Sequence, residues 1–285
     1  MTSGDYVRFI ILSGPRTGSN MLAQALNSNP SIRCFHEVLN SIVGFVMYDL
    51  HNTDRQESPT EDDVAFRERD PIGFLEQRIF GEYPDDVAAV GFKYHYGHIW
   101  GFPGVFDHVV KDDSIRVVHL KRRNGLRTLL SLKTAQQTGR WMETGTLPLT
   151  PARLLGALLH PKRLAGRVAK LVQRPDPPVT VPERELTISK EELDQFIISA
   201  EMTEHHFDEL FERHPSITVY YEDILHQRNV VYEATQSFLG VEAHPLSVTL
   251  AKQNPEPARE LLSNFDELRV AFKDTEYASW FEEEG

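Results

Sequence analysis

Val7–Asn20, VRFIILSGPRTGSN, decides how the chain is read. Val7 to Leu12 is a short apolar run, too brief for a helix, that ends at a Gly-Pro turn; it reads as a buried strand. Ser19 to Leu26 then reads as a helix, stopped by Asn27-Ser28-Asn29-Pro30. Between them lies Gly14–Asn20, GPRTGSN. In a strand–turn–helix, the backbone N–H groups of Thr17, Gly18, Ser19 and Asn20 can point at a bound oxyanion, and the helix adds the positive end of its dipole. The hydroxyls of Thr17 and Ser19 can donate as well, and Arg16 can clamp phosphate or sulfate oxygens in a fork. The turn differs from the nucleotide-hydrolase loop GxxxxGK[ST], for no lysine stands beside Ser19 and the glycine spacing is wrong. Hydrolysis of ATP would also need a carboxylate for magnesium. Glu222-Asp223, after Ile217–Tyr221, is the one candidate, and such a pair more commonly caps a helix or meets a nearby base.

Outward from this loop, strands alternate with helices. Strands are expected at Ile32–Phe35, Val87–Tyr94, Ile115–Leu120 and Ile217–Tyr221. Helices are expected at Leu39–Leu50, Pro71–Phe80, Gly125 to about Gln137, from the Ser189/Glu192 capping box to about Arg213, and at Val230–Leu239. A polar acidic loop separates Leu39–Leu50 from Pro71–Phe80. The pattern predicts an α/β fold, a P-loop-like doubly wound parallel sheet flanked by helices. A single domain over 1–285 is expected, with a basic helical lid or insertion at about 141–188.

Composition limits the function. The 285 residues carry a net charge of −12, which argues against a general nucleic-acid binder. Yet Ser114–Pro175 holds thirteen Lys or Arg and one acid, Glu143, a cationic zone of the kind that meets an anionic ligand. The single cysteine, Cys34, excludes a disulfide framework and makes a thiolate metal site unexpected. The first residues lack the length and cleavage site of a signal peptide, and no run approaches a membrane span, so a cytoplasmic protein is expected.

A second segment, His119–Ser131, HLKRRNGLRTLLS, completes a pattern. Arg123 follows a strand at its C-terminal end, where open α/β sheets bind ligands, and Ser131 stands eight residues on, two turns into the next helix. Together with PRTGSN this resembles the donor site of the bacterial carbohydrate sulfotransferases, the trehalose, nodulation-factor and lipopolysaccharide types. His36–Asn40 (HEVLN), Gly91–Ile99 (GFKYHYGHI) and Lys252–Leu268 also resemble that family, so the likeness spans most of the chain.

The resemblance implies 3'-phosphoadenosine 5'-phosphosulfate as the donor and no metal. The loop Pro15, Arg16, Thr17, Gly18, Ser19 and Asn20 would hold its 5'-phosphosulfate, and Arg123 with Ser131 its 3'-phosphate. The acceptor would be a hydroxyl of a sugar or other small molecule, and relatives of this type are often homodimers. Arg16 and Lys93 would neutralise the leaving phosphate. For the base three residues compete: Glu37, at the position of the catalytic carboxylate in the trehalose-type enzymes; His95, in a Lys-x-His similar to that of animal cytosolic sulfotransferases; and His36. An ATP- and magnesium-dependent kinase is the alternative reading, resting on Glu222 and Asp223.

Overall fold

The computed structural model describes residues 6–40, 60–138, 186–248 and 256–282. The helix expected at Leu39–Leu50 and most of the basic insertion expected at 141–188 lie outside them. The chain divides into two compact units, residues 1–132 with 190–250, and residues 133–189 with 251–285.

The first unit is built on a five-stranded, all-parallel sheet, bearing out the α/β expectation. Its strands are β1 (Val7–Ser13), β2 (Ile32–Phe35), β3 (Ala89–His95), β4 (Arg116–Lys121) and β5 (Ser216–Tyr220), in the order β2-β3-β1-β4-β5. Each central strand is apolar on both sides because helices cover both faces. Phe9 and Ile11 pack with Leu22 and Leu26 of α1 (Ser19–Asn27) and with Tyr232 of a later helix. Ile10 and Leu12 face the other way, into a cluster with Phe74, Phe92, Val105, Val109 and Phe207. Phe92 comes from β3, and the others from α3 (Pro71–Phe74), α4 (Pro103–Lys111) and the long α6 (Lys190–Leu210). Among the described residues no helix is long and apolar enough to cross a membrane.

Several elements depart from the sequence reading. Part of the expected acidic loop is the helix α2 (Glu61–Arg69), where Thr60 and Asp63 form a reciprocal capping box and three acids fill the first turn. Helix α3, opened by Pro71 after the Asp70 cap, passes into a π-helical turn at Leu75–Ile79. Helix α4, opened by Pro103 at its first turn, has no counterpart among the expected elements. Tyr221, expected to end a strand, instead starts the short helix α7 (Tyr221–His226), followed by α8 (Arg228–Phe238). Helix α5 runs over Gly125–Thr138.

In the second unit, Leu186 bridges Leu262, and Asn264 bonds Ile188 through both its carbonyl and its amide. Helices α9 (Ala258–Leu261) and α10 (Phe265–Phe272) follow, and Phe272 stacks on Phe281 at 5.7 Å between centroids.

Gly91 sits where β3 passes β1: a Cβ there would lie 2.3 Å from the Phe9 carbonyl oxygen and 2.5 Å from its ring. Gly91→Ala is expected to cost about 1–3 kcal/mol through overpacking, read as a lowered midpoint in denaturant unfolding. An unchanged midpoint would mean that the two strands separate more easily than this packing implies.

Candidate active site

The strand ends are level. Ser13, the last residue of β1, pairs with His95 on one side and Leu120 on the other, and Lys121 pairs with Tyr220. The loop after β1 therefore emerges between the ends of β3 and β4. Arg16 takes φ 64° and Gly18 φ 90°. A Cβ at Gly18 would lie 2.4 Å from the Tyr221 ring, so glycine is required twice over, by backbone and by space. Thr17 Oγ1 donates to the Gly14 carbonyl at 3.0 Å and tightens the turn. Gly18 is the N-cap of α1 and gives no side-chain cap, so the N–H groups of its first turn are left to a ligand or water.

Cations gather at this loop. Arg16 Nε donates to Ser131 Oγ at 2.8 Å, bringing together two residues 115 positions apart. Arg122 Nη1 donates to the Arg16 carbonyl at 2.9 Å, and its guanidinium lies 4.6 Å over the Tyr221 ring. Burial first, and then its neighbour Arg122, lowers the pKa of Arg16. Burial likewise lowers that of Arg122, partly offset by Tyr221 and Glu222. Arg127 is buried beside them. Positive charge crowded into a partly dehydrated corner favours an anion there. Lys121, Arg122, Arg123 and Arg127 are alike in the sequence, where each could join an anion site or be solvated; the bond to the Arg16 carbonyl singles Arg122 out.

Arg123 points elsewhere. Its guanidinium forks onto Asp223 at 2.6 and 2.9 Å and stacks 3.7 Å over Tyr220, with half its side chain exposed. Glu222 accepts from the backbone N–H groups of Arg123 and Asn124, at 3.1 Å each. Both acids considered for magnesium are thus engaged in shaping the turn after β4. Among the described residues no group of three or more His, Cys, Asp or Glu could hold a metal.

The third group surrounds Glu37. Lys93 and His95 alternate with Tyr94 along β3, so both point to the face covered by α1. Lys93 Nζ lies 3.1 Å from Glu37 Oε1, His95 Nε2 3.4 Å from the same oxygen, and His98 Nε2 3.9 Å from Oε2. Asn40 Nδ2 donates to Oε2 at 3.0 Å. Lys93 also donates to Asn20 Oδ1, and Ser19 Oγ lies 3.4 Å from His95 Nε2, which ties this group to the loop. Burial acts to raise the Glu37 pKa, but Lys93, His95 and His98 outweigh it and hold the carboxyl well below the usual range. Its stabilising contribution is therefore present above the ordinary carboxylate pKa and is lost only as pH falls through the depressed value. Burial lowers the pKa of Lys93 against the pull of Glu37. Burial and Lys93 keep His95 neutral, and burial takes His98 down to about 4. The site is a carboxylate beside two neutral imidazoles and a dehydrated lysine. His98 was not singled out in the sequence, although its spacing from His95 in the 3-10 turn Tyr96–Trp100 returns it to the same side. Of the two other named residues, His36 has a fully buried side chain and Pro15 is exposed.

No family model matches the chain. It is 27% identical over 279 residues to nodulation protein H of Rhizobium tropici, covering 96% of this chain and 92% of that one. It is 26% identical over 280 residues to nodulation protein H of Rhizobium meliloti (strain 1021), covering 96% and 94%. The crystal structure of a sulfotransferase from Alicyclobacillus acidocaldarius aligns over 99% of this chain and 95% of its own, at 14% identity and a TM-score of 0.44. Over nearly its whole length, this chain is similar to nodulation protein H.

Proposed function

We propose that the protein is a sulfotransferase that moves a sulfuryl group from 3'-phosphoadenosine 5'-phosphosulfate to a hydroxyl of a carbohydrate or other small acceptor. The observation that carries this reading is the 2.8 Å bond between Arg16 and Ser131, which joins the two donor-site motifs beside an uncapped helix start. The resemblance of both motifs to carbohydrate sulfotransferases, and the match to nodulation protein H, support it.

The residues suit such a donor. The N–H groups from Thr17 to Asn20, with Arg16 and Arg122, form a cationic cradle for the 5'-phosphosulfate. Ser131 and Arg123 are the candidates for the 3'-phosphate, and Arg123 would have to share its guanidinium between that group and Asp223. Sulfuryl transfer follows the logic of phosphoryl transfer: a loose, in-line transition state with charge gathering on the leaving oxygen. Lys93 and Arg16 are placed to meet that charge. Glu37, held deprotonated by its neighbours, is our choice of base for the acceptor hydroxyl, and His95, neutral and 3.4 Å away, is the second choice. The kinase alternative loses support because Glu222 and Asp223 are bonded to the backbone and side chain of residues 123 and 124.

Two measurements test this. Glu37→Gln is expected to lower turnover by about 10²- to 10⁴-fold, the usual contribution of a general base, while nucleotide affinity by calorimetry stays near wild type. Full activity in that variant would remove Glu37 from the role. Arg123→Ala is expected to weaken binding of adenosine 3',5'-bisphosphate by about 1.5–3 kcal/mol, the range for a bond to a charged group, and to leave ADP binding unchanged. Equal losses for the two nucleotides would refute the 3'-phosphate assignment.

A further inference from the structure

On the opposite face of the sheet from Glu37, a second line of polar side chains starts at Tyr96. Its hydroxyl lies 2.6 Å from His119 Nε2, His119 Nδ1 lies 2.7 Å from Asp208 Oδ1, and Lys121 Nζ donates to Asp208 Oδ2 at 2.7 Å. Glu204 lies 3.9 Å beyond Lys121. With a neutral His119 ring, one proton arrangement satisfies every link. Lys121 and His119 donate to the carboxylate, which leaves the Nε2 lone pair to accept the Tyr96 hydroxyl proton. Burial first, then Lys121, lowers the His119 pKa to about 4 against the pull of Asp208, so the ring is neutral as the arrangement requires.

The line ends against the anion loop. Because Ser13 pairs with His95, the next residues, Gly14 and Tyr96, come side by side. A Cβ at Gly14 would stand 3.3 Å from the Tyr96 ring edge. The ring's other support is Phe207 of α6, stacked at 4.5 Å between centroids and 23° between planes. Tyr96 is also the first residue of the turn that carries His98 back toward Glu37.

We infer that Tyr96, His119 and Asp208 form a positioning chain that clamps the Tyr96 ring beneath Gly14 and so holds the anion loop and the His95–His98 turn in mutual register. The inference rests on the donor reading above for the identity of the anion, but the clamp itself concerns any anion taken by the loop. None of the three residues is placed to exchange a proton with Glu37, so they act through the loop.

The test uses the full chain with Tyr96→Phe, His119→Ala and His119→Gln, each checked for a cooperative thermal transition. Glutamine keeps an N–H for Asp208 and a carbonyl for Tyr96, so it can rebuild the chain. Affinity is measured by calorimetry for inorganic pyrophosphate and for adenosine 3',5'-bisphosphate. Tyr96→Phe and His119→Ala are expected to weaken both by about tenfold, the scale of one lost hydrogen bond, and His119→Gln to restore near-wild-type values. In wild-type ¹⁵N spectra, His119 is expected to be protonated at Nδ1 only. Wild-type affinity in Tyr96→Phe or His119→Ala, failure of His119→Gln to rescue, or a proton on Nε2 would each overturn the inference. A wild-type protein that binds pyrophosphate but does not prefer the bisphosphate to ADP would sink the donor reading and leave the clamp standing. Binding of neither anion would sink both.

Discussion

The register at the end of β1 is the constraint on which the site depends. Ser13 is flanked by His95 and Leu120, so three strands stop at one level and the chain must turn there between two others. A parallel sheet presents its strand C-termini, and the loops that follow them, along one edge. That edge holds Gly14–Gly18 from β1, Lys93 and His95 from β3, and Lys121–Asn124 from β4. A slip of one residue in β3 would carry Lys93 and His95 to the far face and bring Tyr94 round to Glu37. The apolar pattern forbids it, because Phe92 and Tyr94 are fully buried in the cluster on that far face.

Around that edge the charges are deliberately unequal. Glu37 is surrounded by a lysine and two imidazoles, and stays ionised although burial opposes it. Arg16 meets the Ser131 hydroxyl, and Arg122 a carbonyl and an aromatic face. Burial opposes the charge on both guanidinium groups, and a bound anion would offset that cost. Arg123 differs in being half exposed and already paired with Asp223, so its electrostatics are closer to those of a surface bridge. Two neighbouring arginines in one sequence motif thus meet opposite environments.

The two faces of the sheet divide the work. On the α1 side, Lys93, His95 and Glu37 gather next to Asn20 and Ser19. On the other, Tyr96, His119 and Asp208 brace the same loop from below, with Phe207 behind. Strand alternation is the reason: residues 93 and 95 point one way, and residues 94 and 96 the other. Fold and site are linked through that simple period.

Much of this was legible in the chain itself. The apolar run before GPRTGSN, and the alternation of strands and helices, determined a parallel α/β sheet, because only a strand buried on both faces reads as continuously apolar. The loop's small residues and Arg16 pointed to an anion site, and the spacing of Arg123 and Ser131 marked a second motif. What the sequence could not determine is which member of a basic run is buried. Lys121, Arg122, Arg123 and Arg127 look alike in one dimension, and only packing against Tyr221, Tyr220 and Asp223 separates them. The pairing of Arg16 with Ser131, the return of His98 to Glu37, and the Tyr96–His119–Asp208 line are likewise contacts between distant segments. They exist because parallel strands bring residues far apart in the chain to one edge, a proximity that local periodicity does not encode.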